Sequence, residues 1–219
     1  MKEKIKIDIV SDVVCPWCTI GYKRLEKAII ELGVQNSVAI EWQPFELNPN
    51  MPAKGQRVTE HIFEKYGSTL EQQTASKQNM TQAGKELGFK FDYFDDMRMV
   101  NTFSAHILLE YAKGFGKQTA LKMCLTTAFF SERKDVSSSK VLKEALTHVG
   151  LNADEALALL ENNDAKNKIR TKQEYWKGLG VNSVPTFVFN RKSGVTGAQP
   201  IATFKKIISE LVEEAAKIE

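Results

Sequence analysis

Apolar and polar residues alternate at the start of the chain. Ile5, Ile7 and Ile9 are separated by Lys6 and Asp8, a strand period that runs to Val10. Beyond Ser11-Asp12-Val13-Val14 the period lengthens. Ile20, Leu25, Ala28, Ile29 and Leu32 recur every three to five residues until Gly33, which predicts a helix with a glycine stop. Val38, Ile40 and Trp42 restore the alternating pattern and predict a second strand to Phe45. Pro44, Asn48-Pro49-Asn50 and Pro52 then predict a loop.

Of the six prolines, four lie between Pro16 and Pro52, and the others are Pro185 and Pro200. The proline-free middle, from Val58 to Gly180, reads as about five helices. Ser68-Thr69-Leu70-Glu71 has the form of a capping box, and Asn152-Ala153-Asp154-Glu155 that of a looser one. Helical faces are predicted at Phe103, Ile107, Glu110 and Tyr111, at Ala120, Cys124 and Ala128, and at Val141, Leu142, Ala145, Leu146 and Val149. A further face, Ile169, Gln173, Trp176 and Leu179, stops at Gly180.

The period then shortens again. Thr186 to Phe189 and Val195 to Gly197 predict two strands joined by Asn190-Arg191-Lys192-Ser193-Gly194. A closing amphipathic helix after Pro200 carries Phe204, Ile207, Ile208, Leu211, Val212, Ala215 and Ile218. Strand, helix and strand at one end and hairpin and helix at the other combine into one α/β unit with a four-stranded mixed sheet. Its first crossover would be parallel, and the helical middle would be an insertion.

Composition adds mostly exclusions. The 219 residues carry 30 Lys+Arg against 27 Asp+Glu, with the charges interspersed, so no basic footprint for nucleic acid is expected. No apolar run reaches the roughly 18–20 residues of a membrane span. Met1-Lys2-Glu3-Lys4 leads into alternating charge rather than an apolar signal core, from which a cytoplasmic location is expected. Three cysteines are too few and too odd in number for a disulfide scaffold.

Two of those cysteines form Cys15-Pro16-Trp17-Cys18, between the first strand and the first helix, with Pro16 suited to the opening helical turn. A helix N-terminus presents free N–H groups and a partial positive charge of about half a unit, which favours a thiolate on Cys15. Cys18, about a turn further on, is near enough to close a disulfide and more enclosed, so attack by Cys15 and resolution by Cys18 is the expected order. The same spacing also suits half of a zinc site, but zinc generally takes four ligands. Cys124, His61, His106 and His148 supply no second paired module. No metal and no cofactor are therefore expected. Cys124 reads as a core thiol and His106 as a helix residue at an interface, with proton transfer as its sharper alternative. Asp12 reads as a cap of the turn rather than a proton relay. Met80 and Met97 read as core or loop packing, with a Met-lined substrate surface as the alternative.

Six segments carry a wider resemblance: Asp12–Cys18, Ile20–Glu26, Trp42–Pro49, Asn101–His106, Val184–Phe189 and Val195–Gln199. Together they resemble the DsbA-like branch of the thioredoxin superfamily, and more narrowly its FrnE-like dithiol-disulfide isomerase group. The resemblance implies a thioredoxin-like domain at residues 1–57 and 181–219, interrupted by a helical insertion domain at 58–180. It implies Cys15 as attacking thiol and Cys18 as resolving thiol. Pro185 would be in cis opposite them, and Val184 would offer its backbone to an extended peptide. Pro16 and Trp17 would sit beside the substrate. Two positions depart from the group's pattern: Thr186 replaces a common aromatic, and Ile107 follows His106 in place of arginine.

The implied activity is thiol–disulfide exchange on protein or peptide thiols and disulfides, with glutathione as a candidate partner. Two alternatives remain at this point. One is a glutathione-dependent isomerase or transferase of the kappa-class or hydroxychromene carboxylate isomerase type, whose members typically carry Ser where Cys15 stands. The other is a non-enzymatic peptide-binding or chaperone module.

Overall fold

A computed structural model describes residues 5–217; residues 1–4 and Ile218 of the closing apolar stripe lie outside the described residues. Strand β1 (Ile5–Ser11) runs into helix α1 (Pro16–Glu31), and a short 3-10 turn leads to β2 (Val38–Pro44). After the proline-rich loop come β3 (Gln56–Arg57), α2 (Val58–Tyr66), α3 (Leu70–Glu86) and β4 (Arg98–Met99). Helices α4 (Phe103–Lys113), α5 (Gln118–Phe130), α6 (Ser139–His148), α7 (Ala153–Ala158) and α8 (Asn163–Gly178) follow. The chain closes with β5 (Thr186–Phe189), β6 (Ser193–Thr196) and α9 (Ile201–Lys217).

The main sheet has the order β2-β1-β5-β6. β1 and β2 are parallel, with Ile7 opposite Ile40, while β5 pairs antiparallel with both β1 and β6. This is the mixed four-stranded sheet expected from the periods. One face of β1 is buried where α1 and α9 pack: Ile5, Ile7, Ile9, Leu25, Phe187, Phe189, Phe204 and Ile208 form one core. Gly21 is what lets α1 approach so closely. A Cβ there would lie 2.9 Å from the Phe187 ring and 3.2 Å from Pro185 Cγ.

A second core gathers Met80, Phe91, Leu108, Leu121, Leu125, Phe129 and Leu146 among the helices. Polar ties join it to the sheet. The side chain of Gln118 both accepts the Trp42 N–H and donates to the Trp42 carbonyl, each at 2.9 Å, and Thr119 Oγ1 accepts Trp42 Nε1 at 3.0 Å.

Several local expectations need correction. Between Val58 and Gly178 the described residues hold seven α-helices rather than about five. They also hold β4, which pairs with β3 over only two residues, too short to leave a period in the sequence. The cap of α3 is Thr69, whose box partner is Gln72 and not Glu71: Thr69 Oγ1 accepts Gln72 N–H while Gln72 Oε1 accepts Thr69 N–H. The hairpin turn is tighter than expected. Asn190 and Arg191 both have positive φ (50° and 56°), and Ser193 and Gly194 already pair with Phe189 and Val188. Asn190 is held to β1 by bonds in both directions with the Lys6 backbone. Leu179 is exposed instead of joining the buried stripe of α8.

The largest correction concerns α5. Its buried face carries Gln118, Leu121, Lys122, Leu125, Thr126 and Phe129; of the expected stripe Ala128 is buried, but Cys124 is half-buried and Ala120 exposed. A stripe that buries glutamine, lysine and threonine looks solvated when read by hydrophobicity alone.

Candidate active site

Cys15 is the N-cap of α1, in extended conformation, with Pro16 as the first helical residue. Proline costs nothing there, since the first N–H groups of a helix have no partner within it. The Cys15 carbonyl accepts from Cys18 and Thr19, and its Sγ accepts the Cys18 N–H at 3.3 Å. The sulfur is thus held against the amide end of the helix, where negative charge is favoured. Cys15 is 4% and Cys18 1% exposed. The difference between them lies in what they face: Cys15 borders a cavity of ≈ 350 Å³, and Cys18 is not among its lining residues.

The far end of the chain meets this point. Cys15 Sγ lies 3.9 Å from the Val184 carbonyl oxygen, and the Val184–Pro185 bond is cis. Pro185 is fixed by its carbonyl, which accepts the Gly197 N–H at 2.7 Å, and by the close approach of Gly21. Thr186 turns its hydroxyl to the Ser183 carbonyl at 2.8 Å and toward Thr196. At this departure from the group's pattern the side chain therefore fastens the loop that carries Val184.

Pro16, Trp17 and Val184 line the cavity with Cys15, and Trp17 is 42% exposed at its edge. Its walls come from the helical part: Met80 of α3, Tyr93, Met97, Met99, and Phe129 and Phe130 of α5. His61, Lys65 and Lys77 line it as well. Burial chiefly, with Cys15 nearby, pushes the Tyr93 hydroxyl upward, so it is a neutral wall of the cavity. Met80, Met97 and Met99 belong to the second core and line this cavity at once. The core packing expected of Met80 and Met97 is thus observed, and the same side chains line the cavity.

Behind the dithiol is a buried polar cluster. Asp12 accepts the Val13 N–H at 2.7 Å and the Leu47 N–H at 2.8 Å, so it fastens the turn before Cys15 to the loop after β2. His106 Nε2 lies 3.0 Å from the Phe45 carbonyl and 3.5 Å from Asp12 Oδ1. Since both neighbours accept, Nε2 carries the hydrogen. Burial works to raise the Asp12 pKa, but His106, the Leu47 amide and Lys122 outweigh it and hold the carboxyl below its ordinary value. The Cys18 thiol is pushed up, first by burial and then by Cys15. Lys122, from α5, is driven down by its burial against the opposing pull of Cys18, Asp12 and Cys15.

Sequence reasoning singled out Cys15, Cys18, Pro16, Trp17, Val184 and Pro185, and the structure gathers all six at one end of the sheet. It missed Lys122 and the wall residue Tyr93. The signal for Lys122 was present in Gln118, Lys122 and Thr126, polar residues spaced four apart on an otherwise apolar helix. Cys124 lies apart from the dithiol, and its thiol is raised by burial and by Glu132. Among the described residues no group of three His, Cys, Asp or Glu side chains is placed to hold a metal ion. Nor is any described helix long and apolar enough to cross a membrane.

Comparison with known proteins agrees with this architecture. The crystal structure of a probable DsbA oxidoreductase from Streptomyces coelicolor is 30% identical, with a TM-score of 0.89 over 96% of this chain and 91% of that one. Protein YwbO of Bacillus subtilis (strain 168) is 25% identical over 207 residues, 94% of this chain and 96% of that protein. The cytosolic disulfide reductase DsbM from Pseudomonas aeruginosa, solved with GSH, shares the fold at 16% identity and a TM-score of 0.68, over 95% of this chain and 99% of that one. The model of the DSBA-like thioredoxin domain matches residues 6–209, and the chain belongs to the family of DsbA-like thioredoxin-fold oxidoreductases.

Proposed function

We propose that the protein is a thiol–disulfide oxidoreductase and isomerase acting on protein or peptide disulfides through Cys15 and Cys18. The observation that carries this reading is the unequal placement of the two sulfurs: only Cys15 borders the cavity, while Cys18 lies behind it with its N–H on the Cys15 sulfur. In the proposed cycle the Cys15 thiolate attacks one sulfur of a substrate disulfide, and the other leaves as a thiolate that takes up a proton. Cys18, deprotonated, then attacks Cys15, forming the Cys15–Cys18 disulfide and releasing the second substrate thiol. Isomerisation is the same first step followed by attack of a different substrate thiol on the mixed disulfide. Val184 would present its backbone to an extended substrate beside Cys15, with Pro185 fixing that segment. Pro16 and Trp17 would contact the substrate at the mouth.

In this reading residues 58–180 act as an inserted helical domain that supplies the cavity's Met and aromatic walls, and residues 1–57 and 181–219 form the thioredoxin-like domain. A cytoplasmic location fits the odd number of cysteines and the distance of Cys124 from the pair, since a reducing compartment keeps such thiols free. The test is catalysis of insulin reduction by dithiothreitol and of scrambled-substrate refolding. Cys15→Ser is expected to abolish both, and equal activity in that variant would remove the reading.

A second reading is favoured by the cavity itself, whose ≈ 350 Å³ suits a small molecule. The 2-hydroxychromene-2-carboxylate isomerase structure shares the fold at 13% identity and a TM-score of 0.73, over 98% of this chain and 99% of that one. A glutathione-dependent isomerase of that type would turn over a small aromatic substrate without net thiol exchange and would not need Cys18.

A further inference from the structure

We propose that the cavity beside Cys15 selects the substrate, taking a peptide segment whose reacting cysteine is flanked by a bulky apolar residue and an acidic one. The proposal rests on the redox reading above and names the substrate class of that same site. Two features of the lining carry it. The walls are apolar, with Met80, Met97, Tyr93, Phe129 and Phe130. The rim is basic: Lys65 of α2 and Lys77 of α3 belong to the lining, and no Asp or Glu does.

Among the described residues neither lysine is spent on an ion pair. Lys65 Nζ donates to the Leu47 carbonyl at 2.7 Å and to Asn48 Oδ1 at 2.8 Å, both neutral oxygens. The Leu47 N–H is held in turn by Asp12, so these bonds tie the charge to the turn that carries the reactive sulfur. Lys77 Nζ stands 6.0 Å from the centroid of the Tyr93 ring, and the Tyr93 hydroxyl donates to Met80 Sδ at 3.5 Å. Nearby carboxylates are engaged elsewhere. Glu64 of α2 accepts from Gln56, which is not a lining residue, and Asp92 is bridged by Lys90 and Arg133. His61 adds little charge, because burial and Lys65 outweigh Glu64 and hold its imidazole below the ordinary value. Two ammonium groups without a counter-ion, at the rim of a cavity with low-dielectric walls, favour an anionic occupant.

The walls add the second requirement. Methionine side chains adapt to rings and branched chains of different shape, and ≈ 350 Å³ accommodates one large side chain. Glutathione offers carboxylates but no side chain for these walls. Helix α2 favours a peptide over a small aromatic acid. None of its residues is buried, and Phe63 and Tyr66 are exposed along it, with Tyr66 also lining the cavity. Trp17 is exposed at the same mouth. An extended segment running past Val184 covers these rings, which a molecule confined to the cavity leaves in water. In the step itself the Cys15 thiolate bonds to the peptide sulfur. The sulfur formerly paired with it leaves with the electron pair of the broken bond and takes up a proton.

The experiment uses the reduced full-length protein and short peptides whose single cysteine is held in a disulfide with 2-thiopyridine. Attack by Cys15 on the peptide sulfur releases uncharged, chromogenic 2-thiopyridone, which reports this step alone. The peptides combine Phe or Gly on one side of the cysteine with Glu or Lys on the other. Each rate is divided by that with 2-mercaptoethanol, which removes differences in intrinsic reactivity. The Phe/Glu peptide is expected to react about tenfold faster than Gly/Glu and about fivefold faster than Phe/Lys. The double variant Lys65→Glu/Lys77→Glu is expected to reverse the order of Phe/Glu and Phe/Lys. Equal normalised rates for the Glu and Lys peptides, or for the Phe and Gly peptides, would overturn the proposal, as would an order that survives the charge reversal. Should the double variant not fold, salt decides on the wild type. Between about 0.02 and 0.5 M the normalised Phe/Glu rate should fall several-fold, and a rate that stays constant overturns the proposal equally. Release of 2-thiopyridone by Cys15→Ser as fast as by the wild type would instead sink the redox reading itself.

Discussion

Two cysteines three residues apart share a helical turn and yet differ in what reaches them. Cys15 faces the cavity and the Val184 carbonyl, while Cys18 sits behind it with its thiol raised by burial. Cys18→Ala should therefore still attack a substrate disulfide through Cys15 but be unable to release the product. The expected outcome is a mixed disulfide that accumulates on Cys15 and is visible as a mass adduct on intact protein, whereas Cys15→Ser should show none. A different residue governs behaviour in acid. Glu41 of β2 is bridged by Lys6 of β1 and Lys113 of α4. Burial works to raise its pKa, but those two partners outweigh it and hold the carboxyl at about 2. Because the folded value lies below the ordinary 4.5, the bridge contributes stability above that pH and loses it as pH falls toward 2. Glu41 is only partly buried, so the contribution is small: Glu41→Gln should cost about 1 kcal/mol at pH 7. Urea midpoints of the two proteins should converge near pH 2, and a constant gap across that range would refute the bridge.

Elements were legible wherever one period ran long enough to bury one face. β1, α1, β2, β5 and α9 follow from alternating or helical spacing, and the Cys-Pro-Trp-Cys site follows from the junction of the first two. What stayed hidden lacked such a period. β3 and β4 are two residues each, and the tight turn at Asn190 and Arg191 depends on backbone angles that side-chain polarity does not report. On α5 hydrophobicity pointed to the wrong stripe because the buried one carries Gln118, Lys122 and Thr126. Gln118 and Lys122 contact Trp42 of β2, a partner distant in sequence, and only their four-residue spacing hints at it. Packing of α1 gives the test at this scale. Gly21→Ala would set a methyl carbon 2.9 Å from the Phe187 ring, pushing the helix off β5 and away from Pro185. The expected loss is about 1–3 kcal/mol in urea unfolding. Insulin reductase activity should fall with it, since α1 carries both cysteines; a variant as stable as the parent would show that the helix does not pack as closely as described.

Across the whole molecule, the sheet core and the helical core are separate apolar clusters, so the polar contacts between them set how firmly the cavity wall is held against the dithiol. Besides the Gln118 clamp, a further polar tie is Arg170 of α8. Its guanidinium binds Glu46 in the loop after β2, donates to Gln173 at 3.0 Å and stacks 3.8 Å over the Phe103 ring of α4. The Glu46 side chain is 2% exposed, and its Oε1 has no partner among the described residues. Removing the arginine leaves a carboxylate buried with only the Gln173 amide, which donates to it at 3.0 Å. Most of the expected cost is that stranded charge, not the lost attraction. Arg170→Met should therefore destabilise by about 3 kcal/mol. The double variant Arg170→Met/Glu46→Leu should recover a large part of that, because no charge is then left in the interior. If the tie matters chiefly through attraction, the double variant will be no better than the single one. If it matters through desolvation, denaturant midpoints will rise from the single to the double, and the cavity beside Cys15 will keep its wall without an ion pair behind it.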